Sequence, residues 1–413
     1  MRRSPLIALL LIVGALQAGT NAFAEPILFR YRVIADVVAL RAVADADGDG
    51  RGDILLASGG EAGGSGFPGV LRWHRYPDFR AFPINDPPES SYIADLEAAD
   101  LDGDGDPDLI APIAQEPGDT HRRVIWWENP RPDRPATDRW PIHQIGEIDR
   151  SDGPGKDLAV LDADGDGRLD VAVRTHNAVF IWYQDAPDRW TERFVGDLPW
   201  REGMDAGDID GDGDPDVVLN GYWLENPGTR DGAWQRRTID ARWFAQDTGT
   251  WRDNSCRVLV ADLNGDGLAD PVFGQSEQPG FPVVWYRAID PHADRWEAHE
   301  IGQIDYCHSL QAGDLDLDGD TDVVAAEMPR YDAPYPVVIF QNEGEGLRWN
   351  RQAVSTDTGS YILVVGDVGG DGDLDLVGGR SFKPSSGRTM GKPYPKRAGT
   401  SVGPLEISPV LHV

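Results

Sequence analysis

The chain has 413 residues, 40% of them apolar, enough for a large core, and carries a formal net charge of −32. That acidity excludes general affinity for nucleic acid or an anionic membrane surface, and 14 Trp, 11 Tyr and 12 Phe argue against an acidic disordered chain. Much of the charge sits in short Asp-rich clusters.

Residues 1–24 read as a cleaved export signal. Arg2 and Arg3 precede an apolar run from Leu6 to Leu16, too short for a membrane span, and Ala22-Phe23-Ala24 offers a small-x-small cleavage site. The expected location is periplasmic or extracellular. No later apolar stretch approaches spanning length, and a monomer is expected.

From Phe29 to about residue 382 the chain is repetitive. Nine-residue segments begin at Asp45 (DADGDGRGD), Asp100 (DLDGDGDPD), Asp162 (DADGDGRLD), Asp208 (DIDGDGDPD), Asp262 (DLNGDGLAD), Asp314 (DLDLDGDTD) and Asp367 (DVGGDGDLD). Their starts are 55, 62, 46, 54, 52 and 53 residues apart. Short apolar runs flank each segment, such as Leu158-Ala159-Val160 before and Val217-Val218-Leu219 after. A third, aromatic run follows (VIWWENP from Val124, VFIWYQD from Val179, VVIFQNEG from Val337), then a fourth opening on Trp (Trp140, Trp190, Trp234, Trp296, Trp349). β-branched and aromatic residues between Gly and Pro turns make strands, and four strands per repeat of this length make a propeller blade. The expected fold is all-β, a seven-bladed β-propeller of four-stranded blades. FRYRVI from Phe29 matches a fourth strand and would close the ring on the last blade, which otherwise loses its pattern after Gly378. The alternative is a six-bladed ring with a stray strand. Residues 383–413 form a basic, Pro-rich tail in which LEISPVLHV could supply the missing strand or remain disordered.

The nine-residue segments have a metal logic. Side chains at positions 1, 3, 5 and 9, with the position-7 carbonyl, give an oxygen-only set that selects Ca²⁺. The candidate ligands are Asp45, Asp47, Asp49 and Asp53; Asp100, Asp102, Asp104 and Asp108; Asp162, Asp164, Asp166 and Asp170; and Asp208, Asp210, Asp212 and Asp216. The later loops add Asp262, Asn264, Asp266 and Asp270; Asp314, Asp316, Asp318 and Asp322; and Asp367, Asp371 and Asp375. Gly369 stands at position 3 of the seventh loop, so that site is expected to be weakest or empty. Position 12 never carries Glu and the flanks are strands, so these are not EF-hands.

The D-x-D-G-D-G-x-x-D core between strands resembles the FG-GAP or VCBS repeats of integrin-type propellers, over residues 29 to about 380. More distantly, GYWLENP from Gly221 and CHSLQAGDLDLDGD from Cys307 resemble the propeller of aldos-2-ulose dehydratases and secreted polysaccharide lyases. The resemblance implies the fold and calcium; members adhere, bind glycans or proteins, or act on carbohydrate, so it leaves the activity open.

In this topology the face opposite the Asp loops receives the residues entering each first strand and leaving each second one. Candidates for a sugar, especially an acidic one, or for an extracellular protein ligand are Arg174, His176, Trp200, Tyr222, Trp251, Arg252, Glu327 and Arg380. His308, with Tyr306 and Arg330, is the candidate catalytic set for a lyase or dehydratase abstracting a proton α to a carbonyl. Cys256 and Cys307 open the first strands of adjacent repeats and are expected to form a disulfide. No nucleophile elbow, phosphate loop or zinc-protease motif is present.

Overall fold

The apolar-alternating runs on either side of each Asp loop become a pair of antiparallel strands, as Asp157–Leu161 and Asp170–Arg174 show in continuous register from Asp157↔Arg174 to Leu161↔Asp170. A computed structural model describes residues 26–34, 40–58, 70–86, 92–114, 122–131, 139–148, 155–198, 202–250, 252–328, 335–356, 359–379 and 409–412. The expected export signal, residues 1–24, and most of the basic tail lie outside these residues. No helix among them is long and apolar enough to cross a membrane.

The four-stranded antiparallel blades number six, not the expected seven; a further sheet, that of the Asp100 repeat, has five strands. There the inner strand is broken into Tyr92–Ile93 and Glu97–Ala99, both paired with Asp108–Ala114. The break falls where the Leu96 amide donates to the Asp95 carboxylate at 3.0 Å. Five of the repeats follow a simple meander. Cys256–Ala261, Asp270–Gln275, Pro282–Asp290 and Arg295–Gln303 make one blade, in sequence order from the inside outward.

The last repeat is completed from both ends of the chain. Leu363–Gly366 and Asp375–Gly378 are followed in the sheet by Pro409–His412 and then by Arg30–Val33. The N-terminal strand is thus not stray, and the final residues of the basic tail supply a strand.

The inner strands neighbour one another in cyclic order through all the repeats, and Leu363–Gly366 returns to Leu40–Ala44. Between adjacent sheets lie apolar clusters such as Leu101, Ile110, Trp126, Val171, Phe180 and Trp182. Two outer-strand glycines are required by this packing. A Cβ on Gly146 would lie 2.0 Å from Trp182 Nε1, and one on Gly302 would lie 2.4 Å from the Phe340 ring. Each glycine is the flat surface against which the next sheet's aromatic residue rests.

Candidate functional site

The Asp loops form one face. Position 1 organises each turn: Asp100 Oδ1 accepts from the amides of Gly103 and Asp104, and its Oδ2 from Gly105. Position 6 requires a left-handed backbone, with φ from 83° at Gly50 to 97° at Gly105, which glycine adopts without strain. Position 9 is buried. Asp216 Oδ2 accepts from the Ile209 amide and Oδ1 from the Asn226 amide, and the same pair of bonds recurs at Asp108, Asp170 and Asp322. Burial pushes Asp108 and Asp216 up to about 8, and Asp53, Asp170, Asp270 and Asp322 to about 7.

Carboxylates at positions 1, 3 and 9 converge to within 4.8 Å of one another in the Asp45, Asp100 and Asp162 loops. Position 5 does not join that triad; Asp104, Asp166 and Asp212 turn an oxygen onto the amide of position 7. Asp47 Oδ1 and Asp316 Oδ1, both at position 3, are buried and accept no hydrogen bond. An all-oxygen donor set with orphaned buried carboxylate oxygens fits a hard divalent cation. Two loops also meet an arginine: Arg75 Nε lies 2.5 Å from Asp47, and Arg230 contacts Asp164, Asp166 and Asp185. Position 3 of the seventh loop is Gly369, at φ 123°, where a Cβ would be strained and would lie 3.1 Å from the Tyr76 ring.

One set of residues escaped the sequence reading. Asn129 Nδ2 donates to the Ala46 carbonyl, Asn226 Nδ2 to Ala163 and Asn342 Nδ2 to Leu263, at 2.8–3.0 Å. Each asparagine lies at or just past the end of a third strand and reaches the position-2 carbonyl of the preceding repeat's loop, fastening neighbouring sheets. The recurring Asn after the aromatic run (WWEN, WLEN, IFQN) was the available signal.

The opposite face is not repetitive. A cavity of about 360 Å³ lies among the inner strands, lined by Arg41, Asp95, Glu97, Asp157, Gly203, Asp205, Arg257, His308 and Gln311, with apolar neighbours. Several of its polar side chains fasten one inner strand to the next. Asp95 accepts from the Leu158 amide, Asp157 from Gly203 and Asp205 from Val260, all at 2.8–3.0 Å. Arg41 donates to the Ile362 carbonyl and Arg257 Nε to the His308 carbonyl. Burial raises Asp95 and Asp205 to about 6 and lifts Glu97 well above the usual carboxylate range.

His308 is 2% exposed, its ring stacked on Tyr361 at 4.0 Å between centroids. Its neighbours are Glu277 (3.8 Å from Nε2), Arg257 (Nη2 3.1 Å from Nδ1) and the Tyr361 carbonyl (2.9 Å from Nδ1). Tyr306, at φ 50°, makes backbone bonds to Gln278 and Met328. Arg330, Trp200, Trp251 and Arg380 lie outside the described residues. Arg174 and Tyr222 are not on the rim: both are 0% exposed, Arg174 donates to the Gly203 carbonyl, and the Arg236 guanidinium covers the Tyr222 ring at 4.2 Å. His176 and Glu327 are half-buried, and Arg252 is exposed.

The expected disulfide is absent. Cys256 and Cys307 are both free and buried, and they belong to different apolar clusters. Cys307 Sγ rests on the bare face of Gly274, where a Cβ would approach it to 2.7 Å. Burial raises both thiols, Cys307 to about 12.

The FG-GAP-like repeat model matches residues 42–111, 162–219, 262–325 and 314–378, together more than half of the chain. The protein belongs to the FG-GAP-like repeat family. Its matched segments each contain Asp loops and the strand pairs around them. Among solved structures, this FG-GAP-like propeller is similar to an Agrocybe aegerita lectin that recognises non-reducing terminal N-acetylglucosamine. That similarity has a TM-score of 0.52 and 18% identity, over 78% of this chain and 81% of the lectin. It is also similar to the Vibrio cholerae biofilm matrix protein Bap1, at a TM-score of 0.43 and 12% identity over 91% and 88% of the two chains. A search of curated proteins gave no significant match. Neither solved structure relates the chain to a dehydratase or a lyase.

Proposed function

We propose that this protein is an exported, calcium-loaded propeller that recognises a carbohydrate at the face opposite its Asp-rich loops. The observation carrying this reading is the polar cavity among the inner strands, which concentrates hydrogen-bonding groups on the non-repetitive side of the ring. A lectin of similar fold supports it. A neutral sugar suits the cavity better than an acidic one, because Asp95, Glu97, Asp157 and Asp205 outnumber Arg41 and Arg257 along its walls. Both arginines are already engaged with carbonyls of adjacent inner strands.

Calcium would be held by positions 1, 3 and 9 of the loops, where it would neutralise clustered carboxylates and stiffen the face that fastens the sheets together. A base-catalysed elimination at His308 has less support, since the imidazole is 2% exposed and enclosed by Arg257, Glu277 and Tyr361.

Calorimetric titration with N-acetylglucosamine-terminated and uronate-terminated oligosaccharides, in saturating calcium, tests the sugar reading. Binding of the neutral series is expected, with loss of affinity in Gln311→Trp, which would block the cavity. Binding unchanged by that substitution, or no binding in either series, would reject the cavity as a glycan site.

A further inference from the structure

The Asp loops share a turn but not a charge balance, and the Asp162 loop stands apart. Its carboxylates at positions 1, 3 and 9 converge to within 4.8 Å, as they do in the Asp45 and Asp100 loops. Yet every carboxylate oxygen of Asp162, Asp164, Asp166 and Asp170 already accepts a hydrogen bond. Those at positions 1 and 9 take backbone amides, as in the Asp100 loop. Position 3 makes the difference.

Asp164 and its counterpart Asp210 in the next loop are matched in burial and in one bond. Their side chains are 7% and 1% exposed, and the Oδ1 of each accepts from the position-5 amide at 3.2 Å. Asp210 Oδ2 accepts no hydrogen bond, and His292 Nδ1 stands off at 3.6 Å. Asp164 Oδ2 instead accepts from Arg230 Nε. The same guanidinium reaches Asp166 through Nη2 at 3.2 Å, Asp185 through Nη1 at 2.5 Å and the Gln184 carbonyl at 3.1 Å. A second guanidinium, Arg168 at position 7, contacts Asp166 and donates through Nε to the Gln184 carbonyl at 2.8 Å.

Arg230 is delivered by the neighbouring repeat. It follows the strand Tyr222–Glu225, and Asn226 Nδ2 fastens that turn to the Ala163 carbonyl inside the Asp162 loop at 3.0 Å. Its guanidinium also lies over the Tyr183 ring at 5.2 Å. Arg75, beside the Asp45 loop, is a looser case: its side chain is 43% exposed, and Asp47 Oδ1 there is left without a donor.

We propose that Arg230 is a tethered cation that takes calcium's place in the Asp162 loop and joins the sheets of the Asp162 and Asp208 repeats without metal. The inference rests on the calcium reading of the other loops and adds that one loop departs from it. A divalent ion at Asp164 would have to displace the guanidinium or bear its repulsion, since like charges a few ångströms apart oppose one another. Displacement would also break the charge-assisted bonds to Asp166 and Asp185.

Native mass spectrometry of the full chain across a calcium titration counts the bound ions in the wild type and in Arg230→Met. The variant removes the charge and keeps an apolar stem against Tyr183, and it is expected to take up one calcium more than the wild type. Hydrogen exchange on the wild type gives a readout that needs no variant. Calcium should slow the amides of the Asp100, Asp208 and Asp314 loops and leave those of residues 162–170 unchanged. Calcium-dependent protection of residues 162–170 in the wild type, or no extra ion in Arg230→Met, would overturn the proposal. Equal counts above zero would remove only the role of the arginine, whereas calcium bound by neither protein would remove the calcium reading with it.

Discussion

The two faces of the ring are built on different principles. On the loop face, a nine-residue segment repeats its own hydrogen bonds almost atom for atom: position 9 accepts the position-2 amide at Asp108, Asp170, Asp216, Asp270, Asp322 and Asp375. On the opposite face the described joints vary from repeat to repeat, an aspartate in some, an arginine or a serine in others. Asp95 meets Leu158, Arg41 meets Ile362, and Ser309 meets Tyr361. Most hydrogen bonds of the loop-face carboxylates stay within their own turn, with Arg230 reaching across to Asp164 and Asp166 as an exception, whereas the charges named on the other face join neighbouring sheets. Repetition serves assembly, and divergence leaves room for a specific site.

The largest effect that would break this comparison is metal removal. If the loops hold calcium, each site at a thousandfold excess over its Kd contributes about 4 kcal/mol. Chelation should then lower the melting temperature more than any single substitution, as read by calorimetry; an unmoved transition would leave the loops as acidic turns only. Next comes the buried position-9 carboxylate. Asp216→Ala orphans the Ile209 and Asn226 amides and should cost about 3 kcal/mol in chemical denaturation, even without metal.

The inter-sheet fastening ranks below that. Asn226→Ala leaves the Ala163 and Pro215 carbonyls without this donor and should cost about 2 kcal/mol, with little effect on metal stoichiometry. On the opposite face, Asp95 and Asp205 have folded-state values raised to about 6 by burial, above the ordinary value of 3.8. The folded state therefore binds more protons than the unfolded state between about pH 4 and 6, and stability falls as pH rises through that window, by about 3 kcal/mol per group. Asp95→Asn should flatten part of that slope; an unchanged profile would remove Asp95 as its source. The smallest effect concerns the seventh loop. Gly369→Asp restores the missing position-3 carboxylate but places a side chain at φ 123° and against Tyr76, so it should destabilise by about 1–2 kcal/mol.

Much of the loop face was legible because its information is contiguous. The Asp spacing gave the turns, the apolar runs beside them gave the strand pairs, and the Trp-led runs gave the outer strands. The count of four-stranded blades was not legible, because the split at Asp95 depends on a side chain taking its neighbour's amide. The cysteines misled for a similar reason. Adjacent strand starts suggested a bond, yet the two thiols point into different inter-sheet clusters. Arg174 and Tyr222 were read as rim residues but are interior, since their positions at the ends of strands do not reveal what packs over them.

The sequence by itself determined the repeat, the strand order within most repeats and the oxygen-rich chemistry of the loops, because each depends on residues a few positions apart. Tertiary structure alone decided which side chains of different repeats meet. Glu202, Glu277 and His308 lie on three successive repeats, and only the side-by-side packing of those sheets brings their side chains together.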